Sequence, residues 1–169
     1  MRGSYADSNP PMSEHLEFDP AVADKRQIYR LMTGAVVPRP IGWASTLSTK
    51  GVANLAPFSF FMAVCVAPPM ISLTIERRPD GREKHTLMNL RATGEFCFNV
   101  VTRPVWKEMV DTANGFPEDE SEFEKTGLTA IPSVRIKAPR VKEVPIHFEC
   151  KLERVIELEI GRASCRERV

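Results

Sequence analysis

The sequence predicts a mainly β domain, a β barrel with short helical insertions. Three observations carry that expectation. Short runs rich in β-branched and aromatic residues recur along the chain, at 41–48, 52–60, 70–76, 95–101, 133–137 and 145–160. Turn residues punctuate them, among them Gly51, the Pro79-Asp80-Gly81 triplet, Gly94 and Gly127. Helical spacing is confined to two or three short stretches. At 169 residues the chain fits one domain and can bury a sizeable core. No internal repeat and no interdomain linker breaks it.

Taken in order, residues 1–15 are polar, contain Pro10-Pro11 and have no periodicity, so they read as a disordered arm. A short helix is expected over 24–31, with Ile28 and Leu31 on one face and Gly34 ending it. A hairpin follows: strands at 41–48 and 52–60, turned at Thr49-Lys50-Gly51, where Gly51 tolerates a positive φ. Pro57 cannot donate to a ladder, so the second strand is an edge or leaves its sheet there. Residues 64–67 are apolar and Pro68-Pro69 interrupts them before the strand at 70–76. Residues 77–83 form a charged turn. A helix over 86–92 has Thr86 at its N-cap and Gly94 as its stop. A second helix, over 104–113, carries proline at its start. An acidic loop spans 114–122, then a helical turn at 123–125 precedes Gly127.

The bulk properties exclude several classes. A formal charge of +1 offers nothing to nucleic acid or to an anionic membrane surface. No apolar run reaches a membrane span, and the N-terminus has no signal-peptide core. Cys65, Cys97, Cys150 and Cys165 are far apart. Three of them sit in apolar, strand-like contexts and read as small buried hydrophobes of a reducing cytoplasm. No His or Cys lies at metal-ligand spacing, so no metal is expected. His15, His85 and His147 assemble no catalytic set.

Several segments resemble a known family. They are P-R-P-I-G-W-A-S-T (38–46), K-G-V-A-N-L-A-P-F-S-F-F (50–61), A-P-P-M-I-S-L-T-I (67–75), K-H-T-L-M-N-L (84–90), T-G-E-F-C-F-N-V-V (93–101), E-F-E-K-T-G-L-T (122–129) and F-E-C-K-L (148–152). Their order resembles the flavin reductase-like, FMN-binding split-barrel family, of the flavoredoxin and flavin reductase type. The resemblance runs over about residues 28–158. It implies a split β barrel over 16–160, working as a homodimer with the flavin near the subunit interface. It implies FMN, with FAD as the other flavin, and NADH or NADPH as reductant. In such a protein the cofactor carries the chemistry, and the chain holds the ring and anchors the phosphate. No catalytic side chain is then required. Two activities are compatible with the motifs. One is NAD(P)H-dependent reduction of flavin, with electrons passing to free flavin or to a partner such as an acceptor monooxygenase. The other is a non-catalytic FMN-binding electron carrier or flavin-binding module.

The residues offer specific candidates for cofactor binding. Ser45 and Thr46 can donate to a flavin edge or phosphate, or can be plain hydroxyls of a solvated strand face. Asn54 both donates and accepts, which suits a pyrimidine edge; the alternative is a bond to its own backbone. Ala56 and Pro57 place backbone against a ring, and Ser59 adds a hydroxyl. Phe58, Phe60 and Phe61 either wall the ring or belong to the core. The segment from Lys84 through Thr86 to Asn89 is the phosphate candidate, since a lysine, a hydroxyl and a helix N-terminus combine there. The family usually has Lys-Asp-Thr at this place, and this chain has Lys84-His85-Thr86, matching at Lys84 and Thr86 and departing at His85. Arg39, Arg77 and Arg78 are spare cations, either solvated or facing a dinucleotide phosphate.

The last nine residues, 161–169, do not continue the strand pattern of Ile156, Leu158 and Ile160, and Arg162, Arg166, Glu167 and Arg168 are charged. They read as a non-native tail on a barrel truncated at its C-terminus, which would leave an edge unpaired.

Overall fold

The computed structural model describes residues 18–157. The arm expected at 1–15 and the tail expected at 161–169 lie outside the described residues. The described residues divide into two units, one made of residues 18–37 with residue 157, the other of residues 38–156.

The first unit holds helix α1, Lys25–Ala35. Asp24 caps it, accepting from the Arg26 and Gln27 amides at 2.7 and 3.0 Å, while Gln27 Oε1 accepts in return from the Asp24 amide at 3.2 Å. This reciprocal pair satisfies amides that a helix start leaves orphaned. Gly34 lies inside the helix rather than ending it, because its φ stays negative and the turn continues through it.

The second unit is a split barrel around a four-stranded antiparallel sheet in the order β2-β1-β5-β8. Its strands are β1 (Gly42–Leu47), β2 (Ala53–Phe58), β5 (Glu95–Asn99) and β8 (His147–Lys151). A separate hairpin pairs β3 (Phe61–Val66) with β4 (Pro69–Leu73), and a short ladder pairs β6 (Ala130–Ile131) with β7 (Arg140–Val141). The helices are α2 (His85–Thr93), α3 (Trp106–Asp111), preceded by a 3-10 turn at Arg103–Val105, and α4 (Glu122–Thr126).

The β1–β2 hairpin turns where expected, with Gly51 at φ 83°. Pro57 pairs opposite Trp43 on β2, the edge strand of the sheet, where a missing donor is harmless. β1 runs between two apolar layers, so both of its faces are covered. Trp43 and its β2 neighbour Leu55 pack with Val105, Phe123, Leu128, Val141 and Val144. Ala44 on the opposite face packs with Phe58, Leu90, Phe96 and Phe98. Phe61 joins the β3–β4 hairpin to this second layer, its ring 4.7 Å from that of Phe98. Gly42 makes that approach possible: a Cβ there would lie 2.4 Å from Leu73 Cδ2 and 2.9 Å from the Phe61 ring.

Several expectations on element bounds change. The apolar stretch around 64–67 is a full strand, and the interruption at Ala67-Pro68 is a hairpin turn. The strand expected to reach 76 ends at Leu73. The helix expected from 86 begins at His85 with Lys84 at the N-cap position, so Thr86 is not the cap. Residues 133–137 form no strand, and pairing in that region is limited to the two-residue β6 and β7. Of the strand expected over 145–160, the described residues, to 157, pair from His147 to Lys151, where β5 offers partners from Asn99 to Glu95. Cys65 is exposed on β3 rather than buried, while Cys97 is buried.

Candidate functional site

Thr46 ends the buried part of β1, Asn54 sits directly opposite it on β2, and Thr86 and Asn89 come from the first turns of α2. These side chains meet. Asn89 Nδ2 donates to Thr46 Oγ1 at 3.0 Å, and Asn54 Nδ2 donates to Thr86 Oγ1 at 3.0 Å and to Thr46 Oγ1 at 3.4 Å. All four are buried, Thr46 and Thr86 almost completely. Polar groups withdrawn from water this far are stable only when bonded to one another. The quartet thus pins the start of α2 onto the hairpin through bonds that span distant parts of the chain.

Above the quartet lies the N-terminus of α2. Lys84 makes no side-chain cap, so the leading amides of the helix have no side-chain acceptor. The Lys84 ammonium instead lies 5.5 Å from the centroid of the Phe58 ring. His85 is half-buried, and burial holds its imidazole below the ordinary histidine range. Arg78 and Arg82 push in the same direction, and Glu118 opposes them. The neutral ring adds a hydrogen-bonding group without adding charge at neutral pH. Lys84 and the leading amides thus make this end of α2 positive and rich in donors.

The other expected residues divide. Ala56, opposite Ala44, shares the Asn54 and Phe58 face of β2 and is half-buried, as is Ser59 in the bend that follows. Ser45 does not join them. It points to the opposite face, fully buried, where Oγ donates to the Pro139 carbonyl and accepts from Asn99 Nδ2 at 3.1 Å. Strand alternation decides this, since adjacent residues cannot share a face. Phe58 belongs to the core beneath Lys84, and Phe61 bridges the hairpin to it.

Three residues outside the expected set organise the same elements. Asn99 Nδ2 reaches the Trp43 carbonyl at 3.2 Å, and its Oδ1 accepts from the Val141 amide at 2.9 Å, tying β7 to the sheet. Thr112 Oγ1 accepts from Trp43 Nε1 at 2.9 Å. Glu122, expected in an acidic loop, is buried, and its Oε2 accepts from the Leu55 amide at 2.9 Å. Burial raises its pKa, against the backbone hydrogen bonds and Arg78. No local pattern marks these residues, because each works through a contact far away in the chain.

Two open grooves of about 460 and 480 Å³ flank the turn between β1 and β2. Neither is lined by Lys84, Asn54 or Thr86. Both grooves thus lie apart from the buried quartet.

The sequence pattern of the flavin reductase like domain matches residues 33–164. The chain belongs to that family. It is 44% identical over 141 residues to an uncharacterized protein of Aquifex aeolicus, an alignment covering 83% of this chain and 72% of that one. It is similar to the crystal structure of nitrilotriacetate monooxygenase component B from Bacillus cereus, with a TM-score of 0.82 and 36% identity over 86% of this chain and 71% of that chain. It is also similar to 2-nitrobenzoate 2-nitroreductase of Pseudomonas fluorescens, with a TM-score of 0.75 and 32% identity over 83% and 67% of the two chains. Among the described residues no helix is long and apolar enough to cross a membrane.

Proposed function

We propose that this chain is an FMN-binding oxidoreductase that uses NADH or NADPH to reduce flavin and passes the electrons to free flavin or to a partner protein. The observation that carries the reading is Lys84 at the uncapped start of α2, held over the Thr46–Asn54–Thr86–Asn89 quartet. Family membership supplies the rest. When bound, the flavin would supply the two-electron chemistry. Lys84 and the α2 amides would hold its phosphate, and FAD would present the same group. Ala56, Ser59 and the amide oxygen of Asn54 would face the ring. Thr46, Thr86 and Asn89 would act chiefly by holding α2 in place, their polar atoms being spent on one another. The resemblance to a monooxygenase component B makes an acceptor monooxygenase the natural partner to test.

The chain is further proposed to act as a homodimer. Ala56, Ser59 and Lys84 are half-buried, and the β3–β4 hairpin that follows Ser59 in sequence exposes Met62, Val64 and Val66. A second copy would cover that hairpin and close the site.

Lys84→Ala should weaken FMN binding by about 1.5–3 kcal/mol, the worth of a hydrogen bond to a charged group, and leave riboflavin binding unchanged. Titration calorimetry with the two ligands reads the difference, and equal losses would move the phosphate elsewhere. Mixing the FMN-loaded protein with NADH or NADPH should bleach the flavin band near ~450 nm. Flavin that co-purifies yet resists both nicotinamides would make the chain an electron carrier instead.

A further inference from the structure

The cations near the candidate site are not equally employed. Arg77 Nη1 donates to the Gly81 carbonyl at 3.2 Å, and Nη2 pairs with Glu83 at 3.4 Å. Arg78 Nη2 donates to the Phe116 carbonyl at 3.3 Å. Arg82 pairs with Asp80 at 2.6 Å. Arg39 differs from all of these. Its Nε and Nη1 atoms are withdrawn from solvent and have no acceptor among the described residues. Its guanidinium carbon lies 5.5 Å from the centroid of the Phe60 ring.

A guanidinium cannot relieve this by losing its proton. Its N–H groups either find an acceptor or remain desolvated at a cost. The ring of Phe60 steadies the cation but has no lone pair to accept those protons. The site is thus built on its donor side and lacks its acceptor.

Its position indicates what the acceptor is. Phe58 and Phe60 flank Ser59, and each carries a cation over its ring, Lys84 over Phe58 and Arg39 over Phe60. The two cations therefore sit over rings two residues apart in sequence, at the bend that ends β2. The Lys84 pole has the uncapped α2 N-terminus beside it, whereas the Arg39 pole offers the unpartnered Nε and Nη1 donors of its guanidinium.

We propose that Arg39, steadied by Phe60, is a second anion-binding pole whose occupant is a phosphate group of a nucleotide. The inference rests on the flavin and nicotinamide reading above. A phosphate oxygen accepts from several guanidinium N–H groups at once, which a neutral ligand cannot match. The phosphate has two sources in such a protein, the flavin nucleotide or the pyrophosphate of the nicotinamide dinucleotide. The Pro38 and Pro40 neighbours of Arg39 stiffen the segment that carries it, so the arm is held in place before a ligand arrives.

The test uses the full chain as wild type, Arg39→Lys and Arg39→Met, with riboflavin, FMN and ADP-ribose as probes in titration calorimetry. ADP-ribose presents the dinucleotide pyrophosphate without the redox group. Thermal melts establish that each variant is folded, and Arg39→Lys keeps the charge if Arg39→Met does not fold. Either replacement should weaken FMN or ADP-ribose about tenfold or more and leave riboflavin unchanged, with Arg39→Lys losing less. A loss confined to FMN assigns the flavin phosphate, and a loss confined to ADP-ribose assigns the reductant. Unchanged affinities for both phosphate ligands overturn the proposal, as does an equal loss for riboflavin. So does a variant that binds normally but sediments as a smaller species, because Arg39 would then serve a protein contact. Wild-type protein that binds none of the three probes overturns the functional reading and this inference with it.

Discussion

The hairpins β1–β2 and β3–β4 are nearly equal in length and opposite in burial. β1–β2 contains Ser45, Thr46, Asn54 and Pro57, yet Gly42 through Thr46 are all buried. β3 reads Phe-Met-Ala-Val-Cys-Val, yet every residue after Phe61 is exposed, Val66 by 91%. Hydropathy alone would assign the two the other way round. The first hairpin is covered by α2 and α4, whose side chains supply partners for its polar groups, as Asn89 does for Thr46 and Glu122 for the Leu55 amide. The second is anchored at its base, by Phe61 on Phe98, and nothing in the described residues covers its far end. Burial of a strand thus depends on what packs over it. The apolar strand left open is the surface that the proposed second copy would cover.

The largest expected effect lies in the first hairpin. Trp43 is fully buried and bonded to Thr112. Trp43→Ala should cost about 3–5 kcal/mol in denaturant unfolding, through the cavity and the lost bond. A change within about 0.5 kcal/mol, the usual size for an exposed site, would mean that β1 is less enclosed than its burial indicates.

The second hairpin should respond in assembly rather than in folding. Val64→Lys leaves the packed base untouched and puts a charge on the open strand. The dimer should weaken at least about tenfold, corresponding to about 1.4 kcal/mol, while the monomer melts as before. Sedimentation across a concentration series checks it, and an unchanged dimer would place the interface elsewhere.

The smallest effect concerns Glu122, and it depends on pH. Its folded pKa lies above the ordinary 4.5, chiefly through burial, so the charged form is the disfavoured one in the native state. Stability associated with this group is fully present below its unfolded pKa and is lost as pH rises through the raised folded value. Glu122→Gln keeps an acceptor for the Leu55 amide and removes the charge. The variant should gain on wild type as pH rises from acid to neutral, and the two should converge below about pH 4. Unfolding curves at a series of pH values measure the gap, and a constant gap would show that Glu122 does not titrate in that range.

The thiols repeat the contrast between regions. Burial raises the Cys97 thiol to about 12 and the Cys150 thiol to about 11. Cys97 is buried, as the sequence suggests, and Cys150 is half-buried. Cys65 has an equally apolar neighbourhood in sequence but stands on the open hairpin. Local composition measures what a segment can bury, and only its neighbours decide whether it does.

The same distinction separates the legible from the illegible in the whole chain. Turns at Gly51, Gly81, Gly94 and Gly127 were readable because the left-handed conformation each adopts favours glycine. The edge position of β2 was readable from Pro57, and the family from the order of its motifs. Thr46, Asn54, Thr86 and Asn89 were readable as a set of candidates, but not as a set of mutual partners. That Ser45 faces away from Thr46 follows from strand alternation, yet which face meets α2 was settled only when the helix packed. The roles of Asn99, Thr112 and Glu122, and the unanswered donors of Arg39, belong to the tertiary structure alone. Each depends on whether an acceptor or a donor from a distant part of the chain arrives, and no local pattern of residue types records that.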